Sequence, residues 1–406
     1  MPELEEPVPR RRKILVVAST YPRWLGDHEP GFVHELNRRL VDQFDVHVVC
    51  PHAPGAVPDE VMDGVSIHRF RYAPEAFESL VQDGGILANL KRSPWKWCLV
   101  PFFFLGLMVA CLKSVRQIEP QAIHAHWIIP QGFAIALLSV FSRTVPPFLI
   151  TSHGGDLFGL RGRVFRWLKR WVLRRASAIT VVSQPMADTV VKLGVSPDVV
   201  SVIPMGVDFS HRFSVDRGKR RIPGEILFVG RLVEKKGLKY LIEALPAIRA
   251  RVPGARLVVV GGGPELPALI AQVCELELND CAEFRGPLPQ EALPDLYRRA
   301  SVFVAPFIDA DSGDREGLGL VTIEAIACGC PVVVGDVAVV ADIFQDAEMD
   351  MRAIPGDTED LTAKITNILL APEVAIQRTR AIRERLQEKM GWQSVAIRYG
   401  ELIRDV

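Results

Sequence analysis

Two glutamates, Glu316 and Glu324, stand eight positions apart in the stretch EGLGLVTIEAIACGCPVV, with Gly317 and Gly319 between them. A buried carboxylate is costly without partners, and glycine weakens a helix start. Glycines at such an entrance would bare the amides of Gly317, Leu318, Gly319 and Leu320 toward a ligand. A carboxylate is also the natural two-point acceptor for vicinal sugar hydroxyls. The plainer alternative is an acidic residue answering the helix dipole at Glu316 and a capping contact at Glu324. In VGRLVEKKGL, Arg231 and Lys236 follow Gly230 closely and a helix begins near Gly237. Cations beside a helix amino end form a phosphate trap, although a solvated loop reads the same way.

Other strand ends carry similar groups. VVVGGGPEL places Gly262 and Gly263 directly after a β-branched run. Either the backbone approaches a ligand there, or the turn is simply tight. The sixth position from the first glycine is Leu266, so G-x-G-x-x-G is absent, and no such motif follows the first strand. This disfavours a dinucleotide-dependent oxidoreductase. In the first half, TSHGGDLFGL carries His153 and Asp156, and HAHWIIPQGF carries His124, His126 and Trp127. His124 and His126 share one strand face. Two histidines without a third ligand do not make a metal site, so a polar binding wall or simple packing is expected.

These groups need strands to hold them. Apolar runs at Ile14–Ala18, Val46–Cys50, Ala122–Ala125, Phe148–Thr151, Ile179–Val182 and Val200–Ile203 alternate with helical patterns. The alternation stops at IPMGVDFSHRFSVDRGKRRIPGE and restarts at Ile226–Val229, Leu257–Val260, Ala282–Phe284, Val302–Val304 and Pro331–Val334. Near-continuous apolar strands separated by helices predict two doubly wound parallel-sheet α/β domains. The expected division is 1–205, a linker at 206–222, 223–390, and a C-terminal helix at 391–406 that packs back on the first domain. Ligands in such sheets sit beyond the strands' carboxyl ends, in this case in the cleft expected between the domains.

Composition narrows the class. Of 406 residues, 48 are basic and 48 acidic, which argues against nucleic acid as a partner. Seven cysteines without a CxxC pair read as reduced thiols in a cytoplasmic protein and bind no zinc. Trp97–Leu112 is sixteen residues without a charge. It is short for a span and contains Pro101, so a buried or interfacial helix is expected.

The ordered set VGRLVEKKGL, GGGPE and Glu316-x7-Glu324 followed by ACGCPVV, with IPMGVD and HGGD, resembles glycosyltransferase family 4. That family's enzymes are retaining, nucleotide-sugar-dependent and built on two Rossmann-like domains, the GT-B architecture. The resemblance implies an acceptor-binding first domain and a donor-binding second domain. It implies that Arg231 and Lys236 hold the donor diphosphate, Glu316 and the amides of Gly317 to Leu320 the sugar, and Glu324 the ribose. His153 would lie near the transferred sugar. Many members carry Gly-Gly after the first strand; here the loop STYPRWLGDHEPGFVHEL has Pro30-Gly31, and Gly31 is placed to keep the approach to the diphosphate. No metal or other cofactor is implied as obligatory. The expected acceptor is a glycan or a lipid-linked molecule, in cell-surface polysaccharide or glycolipid synthesis. Asp156, His126 and Trp127 are the acceptor-side candidates.

Arg161–Arg175 carries seven basic residues, no acid and two tryptophans. This suits either an anionic membrane surface or a solvated basic face over a core. Three rivals to a GT-B transferase stand. One is a metal-dependent transferase using Asp309-Ala-Asp311. Another is a sugar-nucleotide epimerase on the same fold, and the third a non-catalytic nucleotide-sugar-binding protein.

Overall fold

The structure is a computed structural model that describes residues 11–27, 31–82, 85–216, 218, 220–311 and 313–406. The chain runs through β1 (Arg12–Val17), α1 (Phe32–Leu40), β2 (Phe44–Pro51), β3 (Asp59–Met62), β4 (Val65–Phe70), α2 (Ile86–Arg92) and α3 (Leu99–Ile118). It continues through β5 (Ala122–His126), α4 (Phe133–Phe141), β6 (Phe148–Ser152), α5 (Gly155–Phe158), α6 (Arg163–Leu173), β7 (Ala178–Val181), α7 (Gln184–Lys192) and β8 (Val200–Val202). After these come β9 (Glu225–Val229), α8 (Leu238–Arg251), β10 (Arg256–Val260), α9 (Leu266–Glu275), β11 (Ala282–Phe284), α10 (Leu293–Arg299) and β12 (Val302–Ala305). The last elements are α11 (Leu320–Ala327), β13 (Val332–Gly335), β14 (Arg352–Ala353), α12 (Thr358–Leu370), α13 (Pro372–Met390) and α14 (Trp392–Asp405). Two compact units result: Met1–Val181 with Thr189–Ser201 and Ala396–Val406, and Val182–Asp188 with Val202–Val395.

The first unit holds an eight-stranded sheet in the order β3-β4-β2-β1-β5-β6-β7-β8. The register of β1 on β5 sets Ile14 beside Ala122 and Val17 beside Ala125. The second unit holds six strands in the order β11-β10-β9-β12-β13-β14, all paired in parallel. Their central strands are buried throughout, as the apolar runs predict. Strand order reverses between β1 and β5 in one sheet and between β9 and β12 in the other. These reversals are where a doubly wound sheet opens a crevice at its carboxyl edge.

Three features differ from the expectations. β3 and β4 form an antiparallel hairpin at the sheet edge, closed by Asp63 (φ 47°) and Gly64 (φ 80°). Asp-Gly is the dipeptide that a tight hairpin with two positive φ values selects. The stretch expected as a linker buries Val207, Phe209 and Phe213 inside the second unit. The uncharged Trp97–Leu112 run belongs to a helix, Pro94–Ile118, long and apolar enough by composition to cross a membrane. One of its faces, Phe103, Leu107, Cys111 and Val115, is buried, and α3 packs on β1, β2 and β4. Phe103 meets the Phe70 and Tyr72 rings at 5.4 and 5.2 Å.

The C-terminal segment completes the first unit. The Tyr399 side chain is fully buried, with its hydroxyl 3.3 Å from both Thr151 Oγ1 and Thr180 Oγ1. His124 Nε2 joins the same group through Thr151 Oγ1 at 2.7 Å. Tyr399→Phe is expected to cost about 1 kcal/mol of first-unit stability, because the two threonines keep each other as partners. Tyr399→Ala should cost about 3–5 kcal/mol by opening a cavity. Urea denaturation of the two variants checks the ratio.

Candidate active site

At the second unit's reversal point two loops lock together. The turn after β9 runs from Gly230 through a short helical turn, Glu234–Lys236, into α8. The segment after β12 runs from Pro306 to Gly319. Ile308 N–H donates to the Lys235 carbonyl at 3.0 Å, and Asp311 N–H donates to Glu234 Oε1 at 2.9 Å. Lys235 Nζ reaches Asp314 Oδ1 at 3.1 Å and Lys236 Nζ reaches Glu316 Oε2 at 2.8 Å. The approach is so close that a Cβ at Gly237 (φ 65°) would lie 1.9 Å from the Pro306 carbonyl oxygen. Glycine is required there by backbone packing and by conformation alike.

Lys236 sits between two acceptors of positive charge. Its Nζ lies 4.8 Å from the Phe307 ring centroid as well as against Glu316. Glu316 Oε1 accepts the Gly319 N–H at 3.2 Å, at the amino end of α11. Burial alone would raise the Glu316 pKa. The nearby Lys236 and Lys235 charges reverse that and hold it at about 2. Glu324, one turn inside α11, has the opposite environment. Its carboxylate is buried and accepts from Gln290 Nε2 at 3.2 Å and Tyr297 OH at 3.1 Å. Burial dominates and pushes its pKa up to about 7.

Arg231 is exposed immediately after Gly230. The three glycines of the next loop have separate reasons. A Cβ at Gly263 would stand 2.3 Å from the Leu232 carbonyl and one at Gly261 would stand 1.9 Å from the Gly230 carbonyl, whereas Gly262 meets only Pro287 at 3.8 Å. Loop-on-loop packing therefore accounts for Gly261 and Gly263. Two acids of the long loop are engaged locally: Asp309 pairs with Arg315 at 3.4 Å and Asp314 with Lys235. Among the described residues no group of three or more His, Cys, Asp or Glu gathers as metal ligands would.

The first unit's reversal point carries a second constellation. His126, at the end of β5, and His153, after β6, meet through Nδ1 and Nε2 at 2.9 Å. His124 and His126 do share a face, with ring centroids 4.1 Å apart. The His153 ring lies 4.9 Å from Phe32 and 5.0 Å from Trp127. Desolvation drives His124 and His153 down to about 3 and His126 well below its ordinary value, so all three rings are neutral at physiological pH. Trp127 has φ 74°, a costly backbone for an aromatic residue. Its amide donates to the Thr151 carbonyl at 2.7 Å, and the next amide, Ile128, donates to Asp156 Oδ2 at 2.7 Å. Asp156 Oδ1 accepts from Ser152 Oγ at 2.9 Å and from the His153 amide at 3.3 Å. Asp156 is thus buried and engaged at both oxygens, holding the two loops that present Trp127 and His153.

Gly31 precedes α1, while Pro30 lies outside the described residues. A Cβ at Gly31 would meet only Pro22, at 3.7 Å, so packing does not require glycine there. Gln131 bridges the first two loops, accepting from the Ser19 amide at 3.0 Å and donating to the His126 carbonyl at 3.3 Å. Sequence reasoning missed Gln131, Phe32, Phe307, Gln290 and Tyr297. Their positions relative to strand ends were the available signal, because all lie in, or pack beneath, loops at a carboxyl edge.

The two glutamates make opposite contributions to stability against pH. Glu316, lowered, stabilises above its ordinary value of 4.5, and that contribution is lost as pH falls toward about 2. Glu324, raised, keeps a proton that the unfolded chain releases, so the second unit loses stability as pH rises from 4.5 toward about 7. Chemical denaturation at the two ends of that second window should show Glu324→Gln gaining on wild type by about 2–3 kcal/mol as pH rises.

Comparisons with known proteins agree with this architecture. Residues 32–211 match Glycosyltransferase Family 4 and residues 212–386 match Glycosyl transferases group 1. The chain is 29% identical over 404 residues to glycogen synthase of Mycobacterium tuberculosis, covering 95% of this chain and 92% of that protein. It is 29% identical over 281 residues to a GDP-mannose-dependent alpha-(1-6)-phosphatidylinositol monomannoside mannosyltransferase of Mycolicibacterium smegmatis, covering 66% of this chain and 73% of that protein. Among solved structures, sucrose-phosphate synthase from Thermosynechococcus elongatus superposes with a TM-score of 0.76 at 21% identity, over 97% of this chain and 99% of that one. Anabaena HepE in complex with UDP and glucose superposes with a TM-score of 0.70 at 16% identity, over 98% and 100%. With both units matched along nearly their whole length, the chain belongs to glycosyltransferase family 4 and is a glycosyltransferase of the GT-B fold.

Proposed function

We propose that the protein is a retaining hexosyltransferase that takes its sugar from a nucleoside diphosphate and passes it to a glycan or lipid-linked acceptor. The observation that carries this reading is the paired arrangement at the second unit's carboxyl edge. Lys236 supplies positive charge beside the amino end of α11 and Arg231 is exposed on the turn after β9, while Glu316 and Glu324 supply acceptors at different depths. The cations suit the donor diphosphate, Glu316 and the amides of Gly317 to Leu320 suit the sugar, and Glu324 suits the ribose hydroxyls.

In transfer, the bond from the anomeric carbon to the diphosphate oxygen breaks, a bond to an acceptor hydroxyl oxygen forms on the same face, and the hydroxyl proton passes to the leaving diphosphate oxygen. The sugar passes through an oxocarbenium-like state while the leaving diphosphate gains charge. Arg231 and Lys236 stabilise that charge, as cationic clamps do on phosphoryl groups. His153 stays neutral, so its role near the sugar is a hydrogen bond and not a full charge. No metal is needed in this scheme. The Mycolicibacterium relative's GDP-mannose and the UDP of Anabaena HepE make the nucleoside diphosphate hexoses the first donors to try.

A thermal-shift panel of UDP, GDP, ADP and their hexose conjugates tests donor binding. A ligand at a hundred times its Kd stabilises by about 2.7 kcal/mol, so at least one conjugate should raise Tm by several degrees. A panel in which none does so sinks the reading. With the active donor in hand, Arg231→Ala and Lys236→Ala should each lower kcat/KM by at least about a hundredfold, the size of losing one transition-state contact. Transfer in EDTA should remain.

A further inference from the structure

Positive charge is segregated in this chain. Residues 85–175 contain thirteen Lys and Arg but only two acids, Glu119 and Asp156, while the remaining residues hold 35 basic and 46 acidic ones. Asp156 is buried, so Glu119 at the far end of α3 is the segment's one exposed acid. The same segment builds α3, α4 and α6. Right-handed crossovers place all three on one face of the first unit's sheet, and α4 packs against both α3 and α6.

That face ends in exposed apolar side chains where the strands end at their carboxyl side. Trp95 and Trp97, just before α3, and Phe102, Leu105 and Val109 within it are each more than half exposed. So are Val164 and Trp167 in the first turns of α6. Phe77, beyond β4 and also more than half exposed, meets the Trp95 ring at 6.3 Å. A seam of half-buried rings joins the two groups: Phe104 stacks on Phe133 at 5.1 Å, and Phe133 meets Trp171 edge-on at 6.0 Å. Around Trp167 lie exposed Arg163, Arg166 and Arg170. Within α6, Trp167 faces solvent with the arginines, whereas Lys169 is buried, its ammonium held by the Leu157 carbonyl and, at 2.6 Å, by that of Leu160.

We propose that this face of the first unit docks on an anionic lipid bilayer. Tryptophans and aliphatic tips enter the interfacial region while the arginines meet lipid phosphates. The helix lies along the surface and does not span it, since its opposite face is the cover of the sheet. The patch borders the carboxyl edge that presents Trp127 and His153, so an acceptor anchored in lipid would arrive beside those residues. The docking reading stands on charge segregation and exposure, and it holds or fails whatever the sugar chemistry proves to be.

The test is flotation of the full chain with neutral phosphatidylcholine vesicles and with vesicles that also contain phosphatidylglycerol. Binding is expected to the anionic vesicles at low salt, to weaken at high salt, and to be released by carbonate. Arg163→Gln with Arg166→Gln should lower the partition coefficient roughly thirtyfold, the weight of two basic residues near a charged surface. Trp97→Ser with Trp167→Ser should lower it as well, with thermal melting unchanged because both side chains are exposed. Four results would each overturn the proposal. These are no flotation with anionic vesicles, binding indifferent to both double variants, retention through carbonate, and a dimer in solution that the tryptophan variant abolishes, since a second copy would then cover the face.

Discussion

The contact between Lys236 and Glu316 governs the second unit's carboxyl edge. It joins the turn after β9 to the segment after β12, the two loops flanking the strand-order reversal. Neither group would be tolerated there alone: each is largely withdrawn from water, and an unpaired charge in that setting costs several kcal/mol. Together, with the Phe307 ring beneath the ammonium and the Gly319 amide on the carboxylate, they form a fixed source of positive and negative potential. The glycine at 237, the Lys235–Asp314 pair and the Asp311 amide on Glu234 all serve the closeness that this contact needs.

Glu316 and Glu324 show how little a residue's type says about its charge. Both are glutamates of one short stretch, Glu324 buried and Glu316 largely withdrawn from water. One has two lysines nearby and stays ionised far below neutrality; the other has neutral donors, Tyr297 and Gln290, and holds its proton up to about 7. Burial acts in the same direction on both, and the cations decide the difference. The first unit shows the same effect of burial on its histidines. Three histidines, crowded at the end of β5 and after β6, are kept neutral by desolvation, and Asp156 serves the backbone beside them.

Much of this was legible in the sequence. Apolar runs located eleven of the fourteen strands among the described residues, because strands of a sheet covered on both faces must be apolar throughout. The Arg231, Lys236, Glu316 and Glu324 positions followed from their places after those runs. The β3–β4 hairpin escaped because its alternation is weak, DEVM against VSIHRF, although Asp63-Gly64 marked its turn. The 206–222 stretch passed for a linker because its buried residues, Val207, Phe209 and Phe213, have no helical or strand period. The partners of Glu324 lie 34 and 27 positions away in Gln290 and Tyr297, a proximity created only by tertiary packing. Gly263 shows a motif with two readings, ligand approach or a tight turn, between which the sequence could not choose; the carbonyl of Leu232, which leaves no room for a Cβ there, comes from a loop brought near only by folding.

The burial of Tyr399 has a consequence for the order in which the protein matures. Synthesis proceeds from the amino terminus, and domains ordinarily acquire structure as they leave the ribosome. Here the first unit requires Ala396–Val406, which emerge only after all of the second unit's residues. Until then the hydroxyls of Thr151 and Thr180 lack their phenolic neighbour, and the surface that Tyr399 covers stays bare. The unit begun earliest is therefore completed last, and its nascent form is the stage most in need of a chaperone's shelter.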